Sequence, residues 1–97
     1  MTISEVTLQN VLDFLRIDDP TEIETTEVTA MMAAAQNFIK EYTGLTLEEL
    51  NEHEDVTIAY QVLIADMFDN RNNQVEKPVY ANRTVQSILS LYRVNLL

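Results

Sequence analysis

Apolar residues recur with a helical period from the start of the chain. Thr7 is a suitable N-cap, because its side-chain oxygen can accept from a free backbone N–H. The residue before Pro20 is disfavoured in helical geometry, so the pattern predicts a first helix over residues 7–17. No segment alternates apolar and polar residues for long enough to indicate a strand. The stripe of this helix follows the i, i+3, i+4, i+7 spacing and comprises Leu8, Val11, Leu12 and Leu15.

A capping box marks the start of a second helix. Thr21 and Glu24 have the spacing at which each side chain can accept from the other residue's backbone N–H. Gly44 stands where a left-handed C-cap is expected, so we predict a helix over residues 21–43. Its apolar stripe comprises Val28, Met31, Met32, Ala35, Phe38, Ile39 and Tyr42.

A short turn and a third long helix follow. Thr46 and Glu49 repeat the capping-box spacing, which indicates a turn of helix through Leu50. The third long helix is predicted over residues 55–71, with Asp55 as its N-cap. Its buried side is expected to comprise Val56, Ala59, Tyr60, Leu63, Ile64 and Met67.

The end of the chain predicts one more helix, over residues 83–92. A polar arm over residues 72–82 precedes it, and a short tail over residues 93–97 follows it. The whole pattern predicts an all-α fold in a single domain, residues 1–97. We expect a small helical bundle of about four helices with one short extra turn.

The charge of the chain is strongly negative and unevenly distributed. Sixteen acidic residues against six basic ones give a net charge of −10. Residues 1–55 hold 13 of the acids and 2 of the bases, whereas residues 56–97 hold 3 acids and 4 bases. This balance argues against a general nucleic-acid-binding surface, which needs basic residues to displace counterions from phosphates. The acids either keep the protein in solution, or form a surface that repels a polyanion or binds a basic partner.

The composition excludes several classes of site. The chain has no cysteine, one histidine and one glycine, which removes thiolate zinc sites, cysteine nucleophiles and glycine-rich phosphate loops. The only histidine lies in residues 52–55, which we interpret as a solvated acidic linker. No apolar run approaches the roughly 18 residues of a membrane span. We therefore expect a soluble, intracellular protein that is not an enzyme, with no catalytic, metal or cofactor site and no membrane partner.

The C-terminal residues have two open interpretations. An apolar end on a small acidic protein is typical of a docking segment. The same residues could instead fold back over the core. The residues concerned are Tyr92, Arg93, Val94, Leu96 and Leu97.

Four segments of the chain resemble a known family when taken together and in order. They are Phe14-Leu15-Arg16-Ile17-Asp18-Asp19, Ala35-Gln36-Asn37-Phe38-Ile39-Lys40-Glu41-Tyr42-Thr43-Gly44, the helix over residues 56–71, and Val85-Gln86-Ser87-Ile88-Leu89-Ser90-Leu91-Tyr92-Arg93. Their order and spacing are similar to those of the small head–tail connector proteins of tailed bacteriophages and prophages. The resemblance covers about residues 6–93. It departs from the family in a longer segment over residues 20–26, and in Phe68, where the family more often has tyrosine.

The resemblance implies a structural role without covalent chemistry. Members form a homo-oligomeric ring of about twelve or thirteen subunits beneath the portal protein. The ring extends the DNA channel and carries a stopper or tail-completion protein. Double-stranded DNA passes through it without sequence-specific binding. The expected location is the head–tail junction of the virion, and the host cytoplasm during assembly.

Charge then suggests which residues take part in such an assembly. We expect Arg71, Arg83 and Arg93 to pair with carboxylates of a neighbouring subunit. The acid-rich segments 18–27 and 48–55 are candidates for the channel wall or the outer surface. The tail residues named above are candidates for docking on the portal.

A second class of function stays open on the same composition. An acidic helical protein can mimic DNA and block a basic nucleic-acid-binding protein, or can act as a regulatory bundle that binds a basic partner. A mimic needs carboxylates at roughly phosphate spacing along one face, whereas a ring subunit also needs a neutral interface.

Overall fold

The structure, a computed structural model, describes residues 1–70 and 83–93. Within these residues the chain forms one 3₁₀ turn and five α-helices, with no strand. The predicted all-α bundle is confirmed. The 3₁₀ turn spans Ile3–Glu5, and the helices are α1 (Leu8–Phe14), α2 (Glu22–Thr43), α3 (Leu47–Leu50), α4 (Glu54–Asn70) and α5 (Arg83–Ser90).

Local capping starts α2 and α3 where the sequence predicts. The Glu24 N–H donates to Thr21 Oγ1 at 3.1 Å, and the Thr21 N–H donates back to Glu24 Oε1 at 3.0 Å. Thr46 and Glu49 form the same reciprocal pair before α3. Each box satisfies two N–H groups that would otherwise have no partner at the helix start.

The first helix is shorter than predicted. Residues 7–17 were expected to be helical, but α1 ends at Phe14. Arg16 adopts a left-handed conformation with φ 60°. Its N–H donates to the Asp13 carbonyl at 3.1 Å, and the Ile17 N–H donates to the Leu12 carbonyl at 2.9 Å. These two bonds form a Schellman motif, which closes the helix several residues before the proline could.

The start of α4 also differs from the prediction. The helix begins at Glu54, and Asp55 lies in its first turn rather than at the N-cap. The Asp55 carboxylate accepts a hydrogen bond from Tyr92, so its oxygens are used in a tertiary contact instead.

The structure tests only some of the predicted bounds of the last two helices. α4 runs to Asn70, and residue 71 lies outside the described residues. α5 ends at Ser90, two residues before the predicted end of 92. The predicted arm over residues 72–82 and the tail residues 94–97 lie outside the described residues.

The core lies between α2, α4 and α5. α4 packs against both of the other helices, and the 3₁₀ turn packs against α4. Six residues of α4 are buried, more than in any other described helix. Burial of apolar surface stabilises the fold by about 25 cal/mol per Å², so this helix contributes most to the core. The buried apolar residues are Ile3, Val6, Val11, Leu12, Val28, Ala35, Ile39, Leu50, Val56, Ala59, Tyr60, Leu63, Ile64, Val85 and Leu89.

The first turns of α2 project beyond this core. Residues 22–27 include no buried side chain, and Val28 is the first fully buried residue of the helix. With 22 residues, α2 is roughly 33 Å long. Its N-terminal end is therefore a partly exposed surface outside the core.

Polar contacts attach the N-terminal segment to the bundle. The Ser4 N–H donates to Asn51 Oδ1 at 3.1 Å, and Asn51 Nδ2 donates to Ser4 Oγ at 2.8 Å. Thr57 Oγ1 donates to the Met1 carbonyl at 2.7 Å. These bonds join the chain start to α4 and to the turn that follows α3.

Two isoleucines of α4 provide a matched test of this packing. Ile64 is fully buried, whereas Ile58 is 54% exposed on the same helix. We expect Ile64→Ala to lower the free energy of unfolding by about 2–5 kcal/mol through lost burial and a cavity. Ile58→Ala should change it by less than about 1 kcal/mol. Urea unfolding followed by circular dichroism measures both, and equal losses would contradict the described packing of α4.

Candidate functional site

Tyr92, a predicted docking residue, lies against the chain's own surface. Its hydroxyl is 2.6 Å and 2.8 Å from the two carboxylate oxygens of Asp55, and donates to that group. Its ring stacks on His53, with centroids 4.1 Å apart and planes inclined by 26°. Of the two interpretations of the C-terminal residues, the structure places Tyr92 in the one that folds back.

Arg93 lies beside an aromatic pair at the end of α2. Its guanidinium carbon is 5.3 Å from the centroid of the Tyr42 ring, a cation–π distance. Tyr42 stacks in turn on Phe38, with centroids 5.9 Å apart. At an exposed site such a contact contributes about 0.5–1 kcal/mol.

These contacts form one site, which we call the C-terminal latch. It consists of Tyr42 from α2, His53 and Asp55 at the start of α4, and Tyr92 and Arg93 after α5. It joins the ends of three helices with one charge-assisted hydrogen bond, one ring stack and one cation–π contact. Within residues 52–55, which the sequence analysis interprets as a solvated acidic linker, the His53 imidazole is partly covered by the Tyr92 ring.

The latch changes the acidity of its tyrosine. The hydrogen bond to the Asp55 carboxylate raises the pKa of the Tyr92 phenol, because ionisation would remove the donor. Burial and the negative charge of Asp55 act in the same direction. In the core, burial alone raises the pKa of Tyr60, whose hydroxyl donates to the Met32 carbonyl at 3.3 Å.

The other predicted site residues are placed apart from the latch or are not described. Arg83 is exposed as the first residue of α5. Arg71, Val94, Leu96 and Leu97 lie outside the described residues. The pairing of the three arginines with a neighbour, and the docking of the tail, stay predictions.

Several exposed apolar side chains were missed by the sequence analysis. They lie off the stripes that face the core, and that departure from the period is the signal that could have found them. Met1 and Ile58 line a shallow groove together with Glu54, Asp55 and Gln61. The exposed fractions are 54% for Met1, 45% for Phe14, 72% for Ile23, 54% for Ile58 and 73% for Leu91.

The described residues contain no group of three or more histidine, cysteine, aspartate or glutamate side chains that could hold a metal ion. Within the same residues, every helix is too short or too polar to span a bilayer.

Comparison of the chain with protein-family models, with curated proteins and with solved structures finds no match.

The raised pKa of Tyr92 predicts a specific alkaline titration. The hydrogen bond to Asp55 stabilises the fold fully below the ordinary tyrosine pKa near 10. That stabilisation is lost as the pH rises through the higher pKa of the folded state. We expect the difference in absorbance at 295 nm between the native protein and Tyr92→Phe to titrate above pH 10.

The control for this titration is Asp55→Asn, which removes the acceptor charge and keeps the side-chain size. It should move the Tyr92 titration to lower pH. An unchanged titration in Asp55→Asn would show that the hydrogen bond to Asp55 does not control the phenol.

Proposed function

We propose that this chain is a structural subunit of a tailed bacteriophage or prophage. In this proposal it forms a ring beneath the portal, extends the DNA channel and joins the head to the tail. The observation that carries the proposal is the resemblance of four segments, in order and spacing, to the small head–tail connector proteins.

The position of these segments in the bundle supports the proposal. The segment over residues 14–19 closes α1, and the segment ending in Gly44 closes α2. The other two lie along α4 and α5. The resemblance therefore extends over helices that pack on one another, as expected for a similarity of whole domains rather than of one short motif.

Charge is compatible with a DNA channel. Thirteen acids in residues 1–55 produce a negative field, and a wall of this sign repels phosphates. DNA near such a wall has no site at which to be held, because binding requires basic residues that release counterions. The two acid-rich segments, 18–27 and 48–55, remain the candidates for the channel wall or the outer surface.

Purified virions provide the direct test. We expect mass spectrometry of virions to find this chain at about twelve or thirteen copies per particle. Negative-stain images of the purified portal of the same phage, mixed with the purified chain, should show an annular cap. The portal alone is the control for the images.

Absence of the chain from virions would contradict the proposal. A monomer bound to a basic nucleic-acid-binding protein would support the acidic DNA-mimic or regulatory function instead. A monomer in solution without the portal is compatible with the ring, since the portal can act as its template.

Deletion of residues 93–97 tests the predicted docking tail. We expect weaker portal binding and lower infectivity, because the deletion removes the apolar end of the chain. Arg93→Ala is the companion variant, since it removes the Arg93 charge and its cation–π contact and keeps the apolar residues of the tail. If the deletion leaves portal binding and infectivity unchanged, the tail is not the docking segment.

A further inference from the structure

Arg16 occupies a backbone conformation that disfavours its residue type. Its φ of 60° lies in the left-handed region, where a Cβ atom costs roughly 1–2 kcal/mol and glycine is the usual occupant of a Schellman motif. The two hydrogen bonds of the motif use only backbone atoms of Arg16 and its neighbours. The closure of α1 therefore does not require an arginine side chain at this position.

The Arg16 guanidinium also forms no ion pair with a described residue, although several carboxylates are close to it in sequence. Arg16 is exposed and is one of two basic residues in the acidic half of the chain, with Asp13, Asp18 and Asp19 close in sequence. Among the described residues its guanidinium forms no ion pair with any of these carboxylates. An arginine that has an unfavourable backbone conformation and no ion pair within the described part of its own chain is a candidate for an intermolecular contact.

An apolar contact surface accompanies this charge. Phe14, two residues before Arg16, is 45% exposed at the last residue of α1. An arginine beside an exposed aromatic ring is the composition typical of energetically important interface residues. We call Phe14 and Arg16 the α1 knob.

The exposed N-terminal end of α2 has the complementary composition. Ile23 is 72% exposed and lines a shallow depression with Glu22, Thr26 and Glu27. The Glu22 carboxylate is exposed and has no ion-pair partner among the described residues. We call Glu22, Ile23 and Thr26 the α2 tip.

We propose that the α1 knob of one copy binds the α2 tip of a second copy of this chain. Phe14 packs on Ile23, and the Arg16 guanidinium pairs with the Glu22 carboxylate. Each surface presents an apolar side chain beside a charge, and the two charges have opposite sign. This inference rests on the proposed ring and names the contact between its subunits, and it assigns residues 22–26 of the acid-rich segment 18–27 to that contact.

In the proposed ring the contact is head-to-tail, because the knob of each copy binds the tip of the next. A series of such contacts closes into a ring when the rotation between neighbouring copies closes. A pair of identical chains carrying −10 each repels at long range, and local opposite charges specify which surfaces meet.

Charge reversal tests the proposed pair. We expect Arg16→Glu and Glu22→Arg each to weaken self-association and ring formation on the portal by about tenfold or more. The double variant Arg16→Glu/Glu22→Arg should recover most of that loss. Lys40→Glu is the matched control, because Lys40 is the other exposed base of residues 1–55 and its reversal changes the net charge equally.

Arg16→Gly separates a role in contact from a role in folding. Glycine relieves the left-handed backbone, so this variant should unfold at a urea concentration equal to or higher than that of the native protein. It should nevertheless assemble more weakly than the native protein, because the guanidinium is lost. A variant that loses stability and assembly together would assign Arg16 a structural role and overturn the proposal.

The absence of cysteine allows a direct test of proximity. Asp13→Cys places a single thiol beside the knob, and Thr26→Cys places one at the edge of the tip, both at exposed positions of a chain without other thiols. A short bismaleimide should cross-link the mixture of the two single variants into dimers, and the yield should fall about tenfold with Arg16→Glu. Equal yields with and without Arg16→Glu would overturn the proposed contact.

The outcomes separate this inference from the proposed function. Rings of Arg16→Glu on the portal, equal to those of the native chain, would overturn the contact and leave the connector function supported. Cross-links between knob and tip, from a chain that is absent from virions, would support the contact and contradict the connector function.

Discussion

Burial of α4 between α2 and α5 is the interaction on which the rest of the structure depends. The chain has no cysteine, so no disulfide can hold the helices together. A domain of 97 residues has a small core, and α4 supplies six of its buried side chains. The C-terminal latch and the contacts of the N-terminal segment are both attached to α4 or to residues just before it. Loss of this packing would therefore release both ends of the chain.

Hydrogen bonds at the start of α4 fix both ends of the chain against that packing. The pair of Tyr92 and Asp55 fixes the residues after α5 against the first turn of α4. Thr57 fixes the chain start two residues further along the same helix. The described residues leave no buried side-chain nitrogen or oxygen without a partner, so these polar contacts add order without an uncompensated desolvation cost.

The negative charge has a structural component as well as a surface one. Six of the acids lie in the first turns of α2, α3 and α4, where the helix dipole stabilises carboxylates by about 0.3–1 kcal/mol each. Glu24 and Glu49 also accept from the backbone N–H of their capping threonines. Part of the acidity of residues 1–55 therefore serves helix initiation, and the carboxylates left for a surface are those without a capping role, such as Glu22.

The sequence by itself determined the all-α class and the starts of α2 and α3. It could do so because a capping box lies within four residues and its hydrogen bonds are local. The C-cap at Gly44 was equally predictable from the sequence, since glycine adopts positive φ without a steric cost. The end of α1 could not be predicted, because Arg16 adopts a left-handed conformation that is unfavourable for an arginine.

Only the tertiary structure decided which residues form the latch and how exposed each apolar side chain off the buried stripes is. Asp55 and Tyr92 are 37 residues apart, and no local pattern relates a carboxylate in one helix to a phenol after another. Helical period predicts Ile64 on the buried side of α4, but the exposed fraction of Ile58 depends on which elements pack against that helix. Local hydrogen bonding specifies where helices begin, whereas the faces they bury depend on which helix packs beside them.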